Sequence, residues 1–237
     1  MRRPAGVIFD LGDTVLHLES INMISANKRL LEFAEGNTDL TAEDVQLFAE
    51  ELSREALQVR EDSMVEYSIQ SFQRLLYGNL GISFTIGPYE MEREFWNAAI
   101  KYLPCEGIHD VLDLLDKHRI KTGILSNSGF TGTVLLEELK KHNLAHRFSF
   151  LISSIDYVFR KPHKRLFQIT VRKMGLEPQD IWFVGDKLEY DIRGAIDSGL
   201  YPVWYNPENK SGEIDGEYLE VRSWYEFQGR IEELYGR

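Results

Sequence analysis

The stretch Val7-Ile8-Phe9-Asp10-Leu11-Gly12-Asp13-Thr14 runs from apolar residues straight into a carboxylate, a glycine, a second acid and a threonine. A carboxylate at the carboxyl end of a buried parallel strand faces the crevice in which open α/β sheets bind ligands. Burying it there is costly unless the charge is paired or binds a metal. A strand closed by an Asx-type turn would carry the same residues, because Asp and Gly are the usual turn formers.

Three later segments repeat the pattern. In Gly123-Ile124-Leu125-Ser126-Asn127-Ser128-Gly129 the apolar run ends in a hydroxyl and an amide. Ser126 and Asn127, set beside backbone N–H groups, could seat an oxyanion or a phosphate, or simply end a strand in a turn. Phe159-Arg160-Lys161-Pro162 precedes a helical pattern that includes Leu166. A lysine is a compact charge suited to phosphate oxygens, though most lysines are solvated surface groups. Trp182-Phe183-Val184-Gly185-Asp186 leads on to Asp191, with the two acids five positions apart where a strand passes into a helix. Carboxylates clustered there suit a hard cation such as Mg²⁺. The alternative makes Asp186 a turn former and Asp191 a partner of the helix dipole.

The elements that must position these groups follow from periodicity. Buried strands are expected at Gly6–Leu11, Lys121–Leu125, Ser149–Ile152, Ile181–Val184 and Tyr201–Tyr205, each a short apolar run. The last four alternate with helical patterns, and Gly175 and Gly199 fall where helix C-caps occur. Strand–helix alternation implies a parallel sheet. From about Leu18 to Tyr102 the pattern changes to helices near Ile21–Glu35, Ala42–Arg60, Met64–Tyr77 and Tyr89–Tyr102, with Thr41 as an N-cap. Val15 to Glu19 and Pro104 to Gly107 are the expected hinges. Tyr218 to Trp224 reads as a last short strand or turn, and Phe227 to Leu234 as a last helix.

Composition narrows the function classes. A net charge of −11 argues against nucleic-acid phosphate or an anionic membrane as the main partner. An anionic substrate would therefore need local positive charge. One cysteine, Cys105, allows no intrachain disulfide. No run approaches the roughly 20 apolar residues of a membrane span, and Asp10 and Asp13 interrupt the apolar start, unlike a signal-peptide core. A cytoplasmic protein is the expectation. The histidines lack the spacing of a metal-ligand pair.

In order and spacing, the four segments resemble the haloacid dehalogenase-like (HAD) hydrolase superfamily, and in particular its phosphatase branch with a helical (C1-type) cap. Between Thr14 and Ser126 lie 111 residues, between Ser126 and Lys161 34, and between Lys161 and Asp186 24. The resemblance covers essentially the whole chain. It implies an α/β fold, a Rossmann-like parallel-sheet core (1–17 and 104–237) with an inserted α-helical cap domain (18–103). It implies Asp10 as the nucleophile that becomes an aspartyl-phosphate, Ser126 and Asn127 as ligands of the phosphoryl group, and Lys161 as the charge offsetting it. Mg²⁺ would be held by Asp10, the Gly12 carbonyl, Asp186 and Asp191. The substrate implied is a small phosphorylated metabolite, handled by a monomer or homodimer.

One position departs from that pattern. The family's phosphatases carry a second Asp two residues after the nucleophile, as the acid and base of the reaction; here that residue is Gly12, and the acid is Asp13. A general acid or base typically contributes about 10²–10⁴ in rate. Asp13 could substitute only from a twisted loop, which Gly12 could permit. The departure leaves open a slow enzyme, one that favours good leaving groups, or a weak or silent relative that binds a phosphorylated ligand or a partner. A metal-free 2-haloacid dehalogenase would share Asp10, but the Asp186 and Asp191 pair does not fit its final motif.

Overall fold

The computed structural model describes residues 2–36 and 39–236. Strands covered on both faces need apolar residues at every position, and β1 (Gly6–Phe9) is buried throughout. It is followed by β2 (Leu16–Ile21), α1 (Met23–Leu31), β3 (Ala34–Gly36), α2 (Ala42–Ser63), α3 (Ile69–Asn79), β4 (Ile82–Phe84), α4 (Pro88–Ala99) and β5 (Ile100–Pro104). The chain then alternates through α5 (Ile108–Lys117), β6 (Lys121–Ser126), α6 (Gly132–Lys141), β7 (Leu151–Ser153), α7 (Lys164–Met174), β8 (Ile181–Gly185), α8 (Arg193–Asp197), β9 (Tyr201–Tyr205), β10 (Leu219–Val221) and α9 (Trp224–Tyr235).

Six strands form one parallel sheet in the order β10-β9-β8-β1-β6-β7. Phe9 on β1 is level with Ile124 on β6 and Val184 on β8. From β1 the chain builds outward through β6 to β7, then returns to the other side of β1 and builds through β8 to β10. Such a reversal opens a crevice at the carboxyl ends of the central strands. The five expected strands are all present, and the sheet gains β10 at its edge, where a final strand or turn was expected.

Side-chain alternation divides the sheet's core in two. Val7 and Phe9 face α5, α6 and α9, in a cluster with Val134, Trp182, Trp224 and Phe227. Ile8 points the other way, with Phe167 on α7 and Ala195 on α8. Gly175 and Gly199 take positive φ at helix ends, the left-handed turn that glycine permits.

The segment between β1 and α5 builds a third core of its own, in which Leu30, Val45, Leu76 and Phe95 meet. Thr41 caps α2 as expected and forms a reciprocal capping box with Asp44. Three expectations fail here. The first helix does not run from Ile21 to Glu35: Ile21 closes β2, α1 ends at Leu31, and Ala34–Gly36 form β3, paired antiparallel with β4. Ile100 to Tyr102 do not extend the fourth helix: Ile100 is already extended at φ −117° and ψ 130°. They belong to β5, which pairs antiparallel with β2, Leu18 opposite Tyr102. Alternate exposure along β5 is the period-2 pattern of a half-buried strand. The third helix starts at Ile69 rather than Met64, because Met64 takes a left-handed conformation that ends α2 and Ser68 supplies the next N-cap. No helix among the described residues is long and apolar enough to cross a membrane.

Candidate active site

The Asp10 N–H donates to the Val184 carbonyl at 2.8 Å, so the residue continues the line of β1 beside β8. Its side chain is buried. Lys161, on the loop between β7 and α7, brings its ammonium to the same place and donates to Asp10 Oδ1 at 2.5 Å and Asp191 Oδ1 at 2.6 Å. Asp191 sits on a single π-helical turn, Leu188–Ile192, and its Oδ2 accepts from the Lys187 N–H at 3.0 Å. Asp186 follows β8 directly and pairs with the Lys187 ammonium. Carboxylate oxygens of Asp10, Asp186 and Asp191 all lie within 4.8 Å of one another, and all three residues are buried.

Gly185 makes the Asp191 position available. A Cβ there would stand 2.4 Å from Asp191 Cγ, so the strand end must lack a side chain for the acid to fold against it.

Like charges in a dry cluster raise one another's pKa. Asp10 is pushed up to about 7, by burial first; Lys161 pulls it back, while Asp191 and Asp186 add to the rise. Burial alone would lower the Lys161 pKa, but Asp10 and Asp191 reverse this and hold the ammonium well above its ordinary value. Asp186 is also raised, again mainly by burial.

Ser126 ends β6, is buried, and lines the same cavity as Asp10. Asn127 is next to it, but its side-chain amide is engaged: Oδ1 accepts from the Lys161 N–H at 2.6 Å and Nδ2 donates to the Lys161 carbonyl at 3.1 Å. Asn127 thus fixes the main chain from which the Lys161 side chain extends.

Gly12 lines the cavity, and the left-handed residue of its loop is Asp13, at φ +53°, rather than Gly12. Asp is one of the few side chains that tolerate this region. Asp13 Oδ1 lies 3.0 Å from His17 Nδ1 and 3.4 Å from the Leu18 N–H. The twist expected of Gly12 is therefore made one residue later, and the half-exposed Asp13 carboxylate is tied to the start of β2.

The cavity measures about 400 Å³. Besides the acids it is walled by Trp96, Tyr102 and Phe130, with Arg60 and Arg160 also lining it. The sequence gives no hint of Glu66. Its buried carboxylate accepts from Arg60 Nε at 2.5 Å and from Ser154 Oγ at 2.8 Å, joining the inserted helices to the sheet side of the crevice. Tyr102 also escapes notice as a helical residue; alternation in β5 is the signal that would have exposed it.

Comparison with known proteins places the chain in a family. The family model described as haloacid dehalogenase-like hydrolase matches residues 7–204. The chain belongs to the haloacid dehalogenase-like hydrolases. A glyceraldehyde 3-phosphate phosphatase of Methanothermobacter thermautotrophicus is 32% identical over 105 residues, covering 44% of this chain and 45% of that protein. The chain thus spans about half the length, or less, of the first curated relatives it matches. Among solved structures, a HAD phosphatase from Thermococcus onnurineus is 21% identical with a TM-score of 0.64, covering 98% of each chain. A 2-haloacid dehalogenase from Pseudomonas syringae is 19% identical with a TM-score of 0.67, covering 99% of this chain and 100% of its own. These last two likenesses are of fold, and haloacid dehalogenase-like folds carry both chemistries.

Proposed function

We propose that this haloacid dehalogenase-like hydrolase is a Mg²⁺-dependent phosphatase that hydrolyses a small phosphomonoester through an aspartyl-phosphate at Asp10. The observation that carries the reading is the buried trio Asp10, Asp186 and Asp191 converging with Lys161 where the sheet order reverses. Three buried carboxylates, two on the Lys161 ammonium and the third on that of Lys187, carry more negative charge than these two cations offset, and their oxygens are the hard donors that Mg²⁺ takes. Asp10, Asp186 and Asp191, with the Gly12 carbonyl, would hold the ion. Bound there, it would neutralise charge on the transferring phosphoryl group and orient it.

The chain's own groups do the rest. An Asp10 carboxylate oxygen attacks phosphorus, and the bond to the departing oxygen breaks. Lys161 offsets the charge of the phosphoryl oxygens as they approach Asp10. Ser126, which ends β6 and lines the cavity, would donate its hydroxyl to one of those oxygens, and Asn127 keeps the Lys161 main chain in position. Asp13 stands on the cavity wall as a candidate acid and base. Residues 18–103 act as a cap over the sheet domain of 1–17 and 104–237, with β2 and β5 as its stalk and Glu66 as a tie across the crevice. Closure of such a cap excludes water. The protein works in the cytoplasm as a monomer or homodimer.

The similarity to a named glyceraldehyde 3-phosphate phosphatase supports phosphoester over carbon–halogen chemistry. A panel of phosphorylated metabolites, with and without Mg²⁺, tests the reading. Metal-dependent phosphate release that disappears in Asp10→Asn supports it; chelator-resistant halide release would replace it with the dehalogenase. Gly12 favours a second reading, a silent relative that binds a phosphorylated ligand. Ligand binding without turnover, unchanged by Gly12→Asp, would establish that one.

A further inference from the structure

An alkoxide expelled into a buried crevice needs a proton donor at its oxygen. The cations nearest Asp10 are committed, Lys161 to Asp10 and Asp191 and Lys187 to Asp186. The Asp13 carboxylate is turned to His17 and the Leu18 N–H. The Tyr102 phenol is placed differently. β5 carries it to the cavity wall, and its ring stacks on Trp96 with centroids 5.8 Å apart. A Cβ built on Gly12 would have Tyr102 Oη at 3.7 Å as its one neighbour within 4 Å. The space left by the missing side chain at position 12, two residues past the nucleophile, therefore opens onto a phenolic hydroxyl.

We propose, resting on the phosphatase reading above, that the Tyr102 hydroxyl donates to the leaving-group oxygen and acts as a catalytic residue of the reaction. The bond from Asp10 to phosphorus forms as the bond from phosphorus to the departing oxygen breaks. That oxygen keeps the electron pair and takes the Tyr102 proton, leaving as an alcohol. Water then attacks the aspartyl-phosphate, its proton passes to the Tyr102 oxygen, and phosphate and the Asp10 carboxylate are released. Every proton lent in the first half is returned in the second.

A donor to the leaving group matters most when that group leaves reluctantly. Tyr102→Phe keeps the ring against Trp96 and removes only the hydroxyl. With Mg²⁺ present, kcat/KM for ethyl phosphate, whose alkoxide is far more basic than a phenolate, is expected to fall about 10²-fold, while that for para-nitrophenyl phosphate, whose leaving group needs little help, changes less than about threefold. A purely structural tyrosine would not separate the two substrates. Restoration of ethyl phosphate turnover by adding Gly12→Asp to Tyr102→Phe would support the assignment further. An equal effect on both substrates, or none, overturns it, as does the same leaving-group split appearing in Asp13→Asn instead. Failure of the unaltered protein to hydrolyse either ester removes the phosphatase reading itself and this inference with it.

Discussion

Lys161 Nζ donates to Asp10 Oδ1 at 2.5 Å although 151 positions separate the two residues, and both are buried. The pair exists because β1 ends, and the loop after β7 begins, at the carboxyl end of the same parallel sheet. With Asp191 also on the ammonium, this one cation offsets two buried acids. Lys161→Met should therefore leave the carboxylates uncompensated. Removing one partner of a buried ion pair typically costs about 3–5 kcal/mol, which urea unfolding in the absence of metal would measure. Phosphatase turnover should fall by about 10³-fold or more, since charge stabilisation at the reacting centre is lost.

Mg²⁺ should stabilise the folded protein. Binding to the native state alone contributes about 2.7 kcal/mol at a concentration one hundred times Kd, and this should appear as a rise in Tm that EDTA reverses. Asp191→Asn should abolish most of the rise. A Tm that does not respond to Mg²⁺ in the unaltered protein would argue that the trio does not hold the ion.

Gly185→Ala tests whether the strand end shapes the acid cluster. Its new Cβ would stand 2.4 Å from Asp191 Cγ and the same distance from Oδ2. Overpacking of this kind costs about 1–3 kcal/mol. Because the group displaced is a proposed ligand, the Mg²⁺ affinity should weaken more than tenfold, by about 1.4 kcal/mol or more. Titration calorimetry would separate this from a general loss of stability.

Glu138 on α6 binds Trp96 Nε1 at 2.8 Å and Lys141 Nζ at 2.6 Å, joining the inserted helices to the sheet domain. Burial pushes its carboxyl up, but the hydrogen bonds from Lys141 and Trp96 outweigh that and hold it below its ordinary 4.5. A depressed carboxylate contributes stability above its unfolded pKa and loses it as pH falls through the folded value. Glu138→Gln should therefore cost about 1–3 kcal/mol at neutral pH. The gap to the unaltered protein should narrow below about pH 4.5, as thermal melts across that range would record.

Much of the site was legible because its acids sit where apolar runs stop. Asp10 and Asp186 each follow a strand whose every residue is buried, and such runs stand out in sequence. Lys161 needed the family's spacing, since nothing local separates it from a surface lysine. The stalk was missed because β2 and β5 are two-sided, part-exposed strands, and Ile100 and Tyr102 follow a helical segment with no break. Glu66 was missed because its meaning depends on Ser154, 88 positions away. Spacing does not encode the contact of Asn127 with the Lys161 main chain, made through both Oδ1 and Nδ2. The positive φ of this loop falls on Asp13 rather than on Gly12, because Asp as well as Gly can take it.

The account turns on a covalent bond between Asp10 and phosphorus. Quenching the protein in acid during turnover of para-nitrophenyl phosphate with Mg²⁺, followed by peptide mass spectrometry, examines that bond directly. A phosphoryl group on the peptide containing Asp10, absent from Asp10→Asn, is the result expected. Sustained turnover with the phosphoryl group on another residue, or turnover that persists in Asp10→Asn, would contradict it.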